Sequence, residues 1–144
     1  MFQFRCTPGF EPIYMTPLSA AADIFCREET LIKANSSARV PTGIWIESVD
    51  LSSLQASMIP EIQIRARSGL AYRHGLMLLN GVGTIDADYR DEIAVLFYNS
   101  QAADYIFKVG DRIAQMLVNI VVRLPQLKIG EQARQGGFGS TGIA

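Results

Sequence analysis

Short apolar runs, rich in β-branched and aromatic residues and bounded by turn-forming positions, constrain this chain more than any other feature. Ile44-Trp45-Ile46, Ile62-Gln63-Ile64, residues 94–98 and residues 116–122 are the clearest of them. A helical bundle needs segments of about ten residues or more with 3.6-residue periodicity, whereas short runs set off by glycine, proline, Asn and Asp read as strands and turns. The expected fold is therefore an all-β sandwich or barrel with at most one or two short helices.

Two segments have helical character. Asp50 or Ser52 could cap a short turn through Leu54 and Gln55 that Pro60 then stops. Residues 70–76 could form another, with Gly75 ending it in the left-handed conformation that glycine adopts at least cost. There is no repeat at solenoid period. The expected organisation is one domain over residues 1–129 and a glycine-rich, polar arm over residues 130–144, a composition that normally means a mobile terminus. Phe138 is out of place in such an arm, because flexible linkers rarely carry an aromatic ring.

Composition narrows the function. With 144 residues, 49% hydrophobic, the chain can bury a sizeable single core. A net charge of −1 and the absence of any Lys/Arg block argue against a protein that grips nucleic acid by its phosphates. Cys6 and Cys26 lack the spacing of a metal knuckle or a disulfide framework, so reduced, packed thiols are expected. Met1 to Arg5 lacks the order of a signal peptide, and no apolar run is long enough to span a bilayer. The expectation is a soluble cytoplasmic enzyme or binding protein with no membrane and no direct nucleic-acid partner.

The richest chemistry lies in Asn80-Gly81-Val82-Gly83-Thr84-Ile85-Asp86-Ala87-Asp88-Tyr89, between the apolar runs at 76–79 and 93–98. The segment reads as a β-hairpin or tight strand connection whose glycines permit close backbone approach. On it Asp86 can act as a base, Tyr89 can lay its ring on a sugar or base, and Asn80 offers an amide donor and acceptor. Taken alone, Asp and Gly in that place are ordinary turn formers.

Arg65-Ala66-Arg67-Ser68-Gly69-Leu70 follows an alternating strand and offers guanidiniums, a hydroxyl and free amides, groups that suit phosphate oxygens as well as a solvated strand end. His74 is the only histidine, which leaves no histidine metal cluster and reads as a surface or capping residue. Gly110-Asp111-Arg112-Ile113-Ala114-Gln115-Met116 couples a turn to a strand; Gln115 could meet a ligand or a metal-bound water, and Arg112 a carboxylate or a partner subunit. In the arm, Arg134 precedes Gly136-Gly137-Phe138-Gly139-Ser140-Thr141-Gly142, where one ring, two hydroxyls and bare amides could close over a nucleotide.

In this order the signals resemble the five motifs of the homotrimeric dUTPase family. They run through Ala20-Ala21-Ala22-Asp23-Ile24, Arg67-Ser68-Gly69-Leu70, the 83–89 segment, residues 110–115 and the 136–142 tail. The resemblance implies a jelly-roll-like β-barrel, a homotrimer with three active sites shared between subunits, and Mg2+. It implies hydrolysis of dUTP to dUMP and diphosphate, which keeps uracil out of DNA and supplies dUMP for thymidylate synthesis. By the same resemblance Asp86 activates the attacking water and Tyr89 packs on deoxyribose to exclude a 2'-hydroxyl. Asn80 and the backbone near Ala94 read uracil in a turn that also includes Gly83, Thr84 and Ile85. Arg67, Ser68, Gly69 and Gln115 hold phosphates, as Arg134, Gly139, Ser140 and Thr141 do from the tail. Asp23 binds waters on Mg2+, and Phe138 stacks on uracil from a neighbouring subunit.

Several positions depart from the family pattern: Ala21 replaces a usual glycine, Ala66 a usual proline, and Asp91 a glycine after the Tyr-Arg pair. Residues 48–59 are longer than the usual connection, and Arg134 stands one residue closer to the Gly-Gly pair. The related dCTP deaminases are one alternative, disfavoured by Asp86-Ala87-Asp88-Tyr89 and by Phe138. A nucleotide-responsive binding or signalling module on the same scaffold is another, with residues 48–59 as its handle.

Overall fold

A computed structural model describes residues 1–130 together with Arg134 and Gly136. The expected closing tail, with Phe138, Gly139, Ser140 and Thr141, lies outside the described residues. Among the described residues ten strands and one helix follow in order: β1 Phe2–Cys6, β2 Ala22–Phe25, β3 Thr30–Ile32, β4 Ser36–Val49, β5 Met58–Ala66, α1 Ser68–His74, β6 Leu76–Leu78, β7 Gly83–Ile85, β8 Ile93–Asn99, β9 Tyr105–Phe107 and β10 Arg112–Val122. The all-β expectation holds. No described helix is long and apolar enough to cross a membrane.

The strands pair as a four-stranded sheet in the order β1-β4-β8-β6, a second in the order β2-β10-β5-β7, and a β3-β9 ribbon. The long β4 serves two neighbours, pairing with β8 over its first half and with β1 over its second. Alternation along the strands supplies one core from both sheets. Ile44, Ile46, Val95 and Phe97 come from the first, Ile24, Ile62, Ile64 and Ile113 from the second, and Ile32 and Phe107 from the ribbon. Each such side chain contributes about 1.5–3 kcal/mol when fully buried. Phe107 meets Phe97 and Tyr105 with ring centroids 5.0 Å apart in both pairs, tying the ribbon to the first sheet.

The segment after β6 differs from a tight connection. β6 and β8 are antiparallel neighbours, with Leu78 opposite Phe97. Between them, however, the chain leaves their sheet, adds β7 to the edge of the other sheet with Gly83 opposite Ile64, and returns. Glycine allows the close approach there: a Cβ on residue 83 would lie 3.1 Å from the Cβ of Ile64. Gly81, at φ 71°, makes the turn between β6 and β7. Residues 79–92 therefore bridge both sheets, and this positions the site.

The second helical segment forms as α1, beginning at Ser68 rather than Leu70. Gly75 closes it at φ 59°, its N–H donating to the Ala71 and Leu70 carbonyls, with Arg73 and His74 in the last turn where the helix dipole favours positive charge. The first segment forms no helix. The Asp50 carboxylate accepts from the Ser52 N–H at 2.9 Å, and two successive turns follow, closed by Leu54 N–H to Leu51 and Met58 N–H to Gln55. Pro60 does not stop a helix but lies inside β5, opposite Ile120. Pairing with β7 begins only at Ile62, so Pro60 sits on a free stretch of strand edge where a missing N–H is tolerated.

Candidate functional site

The bridging segment encloses a cavity of about 410 Å³ between the sheets. Asn80, Gly83, Thr84, Ile85, Tyr89 and Ala94 line it, and Arg134 closes one side. All seven are among the site residues expected from the sequence. The apolar wall of Ile64, Leu78, Val95 and Leu96 was not anticipated, because core residues of alternating strands carry no signal that distinguishes a pocket from packing. The size and mix of apolar walls with a few polar groups suit a small ligand such as a nucleoside. Tyr89 is only 5% exposed, and its hydroxyl donates to the Glu92 carbonyl at 3.2 Å, so its ring is held as a fixed wall. Burial, and secondarily the charge of Asp91, pushes the Tyr89 phenol up, keeping it a donor.

At the rim, Asp86 and Asp88 are both more than half exposed and face Arg134, whose own side chain is 20% exposed. Arg134 Nη2 donates to Asp86 Oδ2, Nε donates to Asp88 Oδ1 at 3.0 Å, and the guanidinium carbon lies 5.7 Å from the centroid of the Tyr89 ring. A second cavity, of about 550 Å³, adjoins this rim and is bounded by Asp86, Asp88, Arg134, Glu61, Arg90 and Arg123. Leu51 and Ile59, from the long 48–59 segment, also line it, so that segment forms a wall beside Asp86.

Another group of expected residues meets elsewhere. Asp23 on β2 is 3% exposed and lies opposite Gln115 on β10. Its Oδ1 accepts from Gln115 Nε2 at 3.0 Å and its Oδ2 from Arg112 Nη1 at 3.2 Å, with Arg67 Nε at 3.6 Å. Arg67 also donates through Nη1 to the Arg112 carbonyl at 2.9 Å. Ser68 and Gly69 follow Arg67 as the first residues of α1. The buried carboxylate thus orders two guanidiniums and an amide at one end of β5, an array suited to anionic oxygens.

The two groups stand apart. Ile85 pairs with Ile62, so Asp86 continues antiparallel toward Glu61, and both border the second cavity. From Glu61 to Arg67 the strand direction covers about 20 Å at roughly 3.3 Å per residue.

Sequence reasoning also missed Glu92. Its carboxylate accepts from Arg27 Nε at 2.9 Å, Arg27 Nη2 at 3.2 Å and the Gly43 N–H at 2.7 Å. Hydrogen bonding to Glu92 pushes the Arg27 guanidinium up. Only a charge pair remote in sequence could have given it away, and single sequences do not display such pairs.

The dUTPase family model matches residues 11–142. The deoxyuridine 5'-triphosphate nucleotidohydrolase of Rickettsia typhi is 43% identical over 94% of this chain and 90% of its own. That of Helicobacter hepaticus is 40% identical over 92% of this chain and 82% of its own. Among solved structures, a Staphylococcus bacteriophage 80alpha dUTPase bound to dUpNHpp superimposes with a TM-score of 0.69 at 20% identity, covering 99% of each chain.

Proposed function

The chain belongs to the dUTPase family, and from that premise we propose how its residues divide the hydrolysis of dUTP to dUMP and diphosphate. The observation that carries the assignment is the convergence of Asn80, Gly83, Thr84, Ile85, Tyr89 and Ala94 on one cavity with Asp86 at its rim. Uracil enters between Asn80 and the Ala94 backbone, in a fit that rejects a 5-methyl group. The Tyr89 ring lies against deoxyribose and excludes a 2'-hydroxyl. Asp86 orients a water on the α-phosphorus and takes its proton, general-base work that contributes about 10²–10⁴-fold. The negative triphosphate draws the Arg134 guanidinium from the two carboxylates to phosphate oxygens, which frees Asp86 to act. Phe138, Gly139, Ser140 and Thr141 then complete the enclosure.

Arg67, Ser68, Gly69 and Gln115 hold the phosphates. A nucleotide whose α-phosphorus lies beside Asp86 cannot also reach Arg67 about 20 Å away along the same β5. A second copy can bring its own Arg67 to that point, and this separation supports a homotrimer with shared sites. The exposed apolar residues Val118, Ile120 and Val122 on β10 give such an assembly surface to bury.

Among the described residues no group of three or more His, Cys, Asp or Glu could cage a metal. Asp23 stands between Gln115 and two guanidiniums, which would repel a bare cation. These residues fit Mg2+ that arrives on the triphosphate and keeps its waters, the usual habit of this ion, with Asp23 accepting from those waters. Bound in that way Mg2+ supplies neutralisation of the phosphate charge.

Diphosphate release from dUTP, UTP, dTTP and dCTP by purified protein with Mg2+ tests the reading. Release from dUTP alone is expected, and equal rates with all four overturn the pocket assignment.

A further inference from the structure

Tyr89, the wall assigned to the sugar, is not fixed by its own loop alone. Its hydroxyl donates to the carbonyl of Glu92, and Arg39 Nη2 reaches the same carbonyl at 3.4 Å. The Glu92 side chain, 14% exposed, is gripped by Nε and Nη2 of Arg27 and by the Gly43 N–H. Gly43 belongs to an irregularity in β4, where the β8 register shifts between Pro41 and Ile44. Gly43 has φ 73°, and a Cβ there would lie 2.9 Å from Thr7 Oγ1 and 3.0 Å from Arg27 Cδ. Inside the same irregularity the buried Thr42 hydroxyl donates to the Ile93 carbonyl at 2.6 Å. Adjacent Pro41 pairs with Ala94, another residue of the cavity wall. The bulge therefore anchors two lining residues, Tyr89 through Glu92 and Ala94 through the β4–β8 pairing.

We propose that Arg27, Glu92 and Thr42 are positioning residues for sugar selectivity, holding the Tyr89 ring at the distance that admits a 2'-hydrogen and rejects a 2'-hydroxyl. The inference rests on the reading of Tyr89 as the sugar wall. None of the three touches substrate. Glu92 closes the loop that carries Tyr89, and its place there is held by the tie to Arg27 and Gly43.

The test compares kcat/KM for dUTP and UTP in the native enzyme, Glu92→Gln, Arg27→Ala, Arg27→Lys and Thr42→Val. The ratio of the two constants is independent of how much protein is folded, so a stability loss alone leaves it unchanged. Glu92→Gln and Arg27→Ala are expected to lower the dUTP preference by about 10-fold, the scale of one misplaced contact in a pocket. The change should fall mainly on the UTP constant, and Arg27→Lys, which keeps the charge, should restore part of it. In a Tyr89→Phe background the same substitutions should do less, because the link they act through is already cut. Ratios within about twofold of native in both Glu92→Gln and Arg27→Ala overturn the proposal. A native enzyme that hydrolyses UTP as readily as dUTP overturns the sugar-wall reading, and this inference with it.

Discussion

Asp86 and Arg67 stand toward opposite ends of the same strand direction: Asp86 follows Ile85, the partner of Ile62 on β5, while Arg67 directly follows the last residue of that strand. Subunits carrying Asp86→Asn and subunits carrying Arg67→Ala should each be nearly inactive alone. Mixed in equal amounts and allowed to exchange, they should regain about a quarter of native activity, since half the sites receive a sound Asp86 and half of those a sound Arg67 from a neighbour. No recovery after verified exchange would place both residues in one subunit's site.

Asp86→Asn keeps the shape of the side chain and removes the base. Turnover of dUTP should fall by about 10²–10⁴-fold, while nucleotide binding, followed by calorimetry, stays close to native. Near-normal turnover would reduce Asp86 to a turn residue.

Gly83→Ala puts a methyl group 3.1 Å from the Cβ of Ile64, a core residue that has little room to yield. Overpacking of this kind costs about 1–3 kcal/mol. The expected result is a lower thermal midpoint together with a raised KM for dUTP, because β7 carries the pocket floor. The same change at Gly81 meets no neighbour within 4 Å but forces a side chain onto φ 71°, and should disturb the turn without crowding Ile64.

Cys26 is fully buried, its thiol donating to the Glu28 carbonyl at 2.9 Å, and Cys6 is partly covered. Burial pushes both thiols above the ordinary value of 9.0. A group whose native pKa is raised stabilises the fold below its unfolded pKa and loses that contribution as pH rises through the native one. The thermal midpoint should therefore fall from about pH 9 upward, and a thiol reagent at neutral pH should modify Cys6 before Cys26. Rapid labelling of both in the folded protein would contradict this.

Replacing Arg134 with Ala removes the cation that bridges Asp86 and Asp88. If it exchanges carboxylates for phosphate, the variant should show a raised KM for dUTP and a weaker dependence of KM on salt, because exposed charges are screened as ionic strength rises. An unchanged KM at low salt would leave Arg134 a surface ion pair.

The β architecture was legible because the alternation in β5 and the short apolar run of β8 are set by core-facing side chains, a property local to each strand. The nucleoside residues were legible for a related reason: six of them fall between Asn80 and Ala94, so their order along the chain nearly is their arrangement in space. Pro60 misled because a proline reads as a helix stop wherever a helix is imagined, and nothing in the sequence marks a free strand edge. Arg27 and Glu92 were invisible because they pair across 65 positions of sequence and depend on a bulge at Gly43 that only the β4–β8 register reveals. The crossing of β7 to the other sheet was missed because Gly83–Ile85 read as part of a hairpin connection, and a run of three residues does not mark itself as a strand or name its neighbour.

That crossing bears on how the protein is made as well as on what it binds. β6, β7 and β8 are consecutive in the chain, yet β7 takes its partner from β5 while β6 and β8 take each other. The cavity between them has no walls until both sheets have found their registers and docked, and contacts of that range are slow to form. A nascent or partly folded chain therefore has no nucleotide site to offer. Substrate can bind only a finished molecule, and by mass action each binding event draws the population away from its unfolded forms.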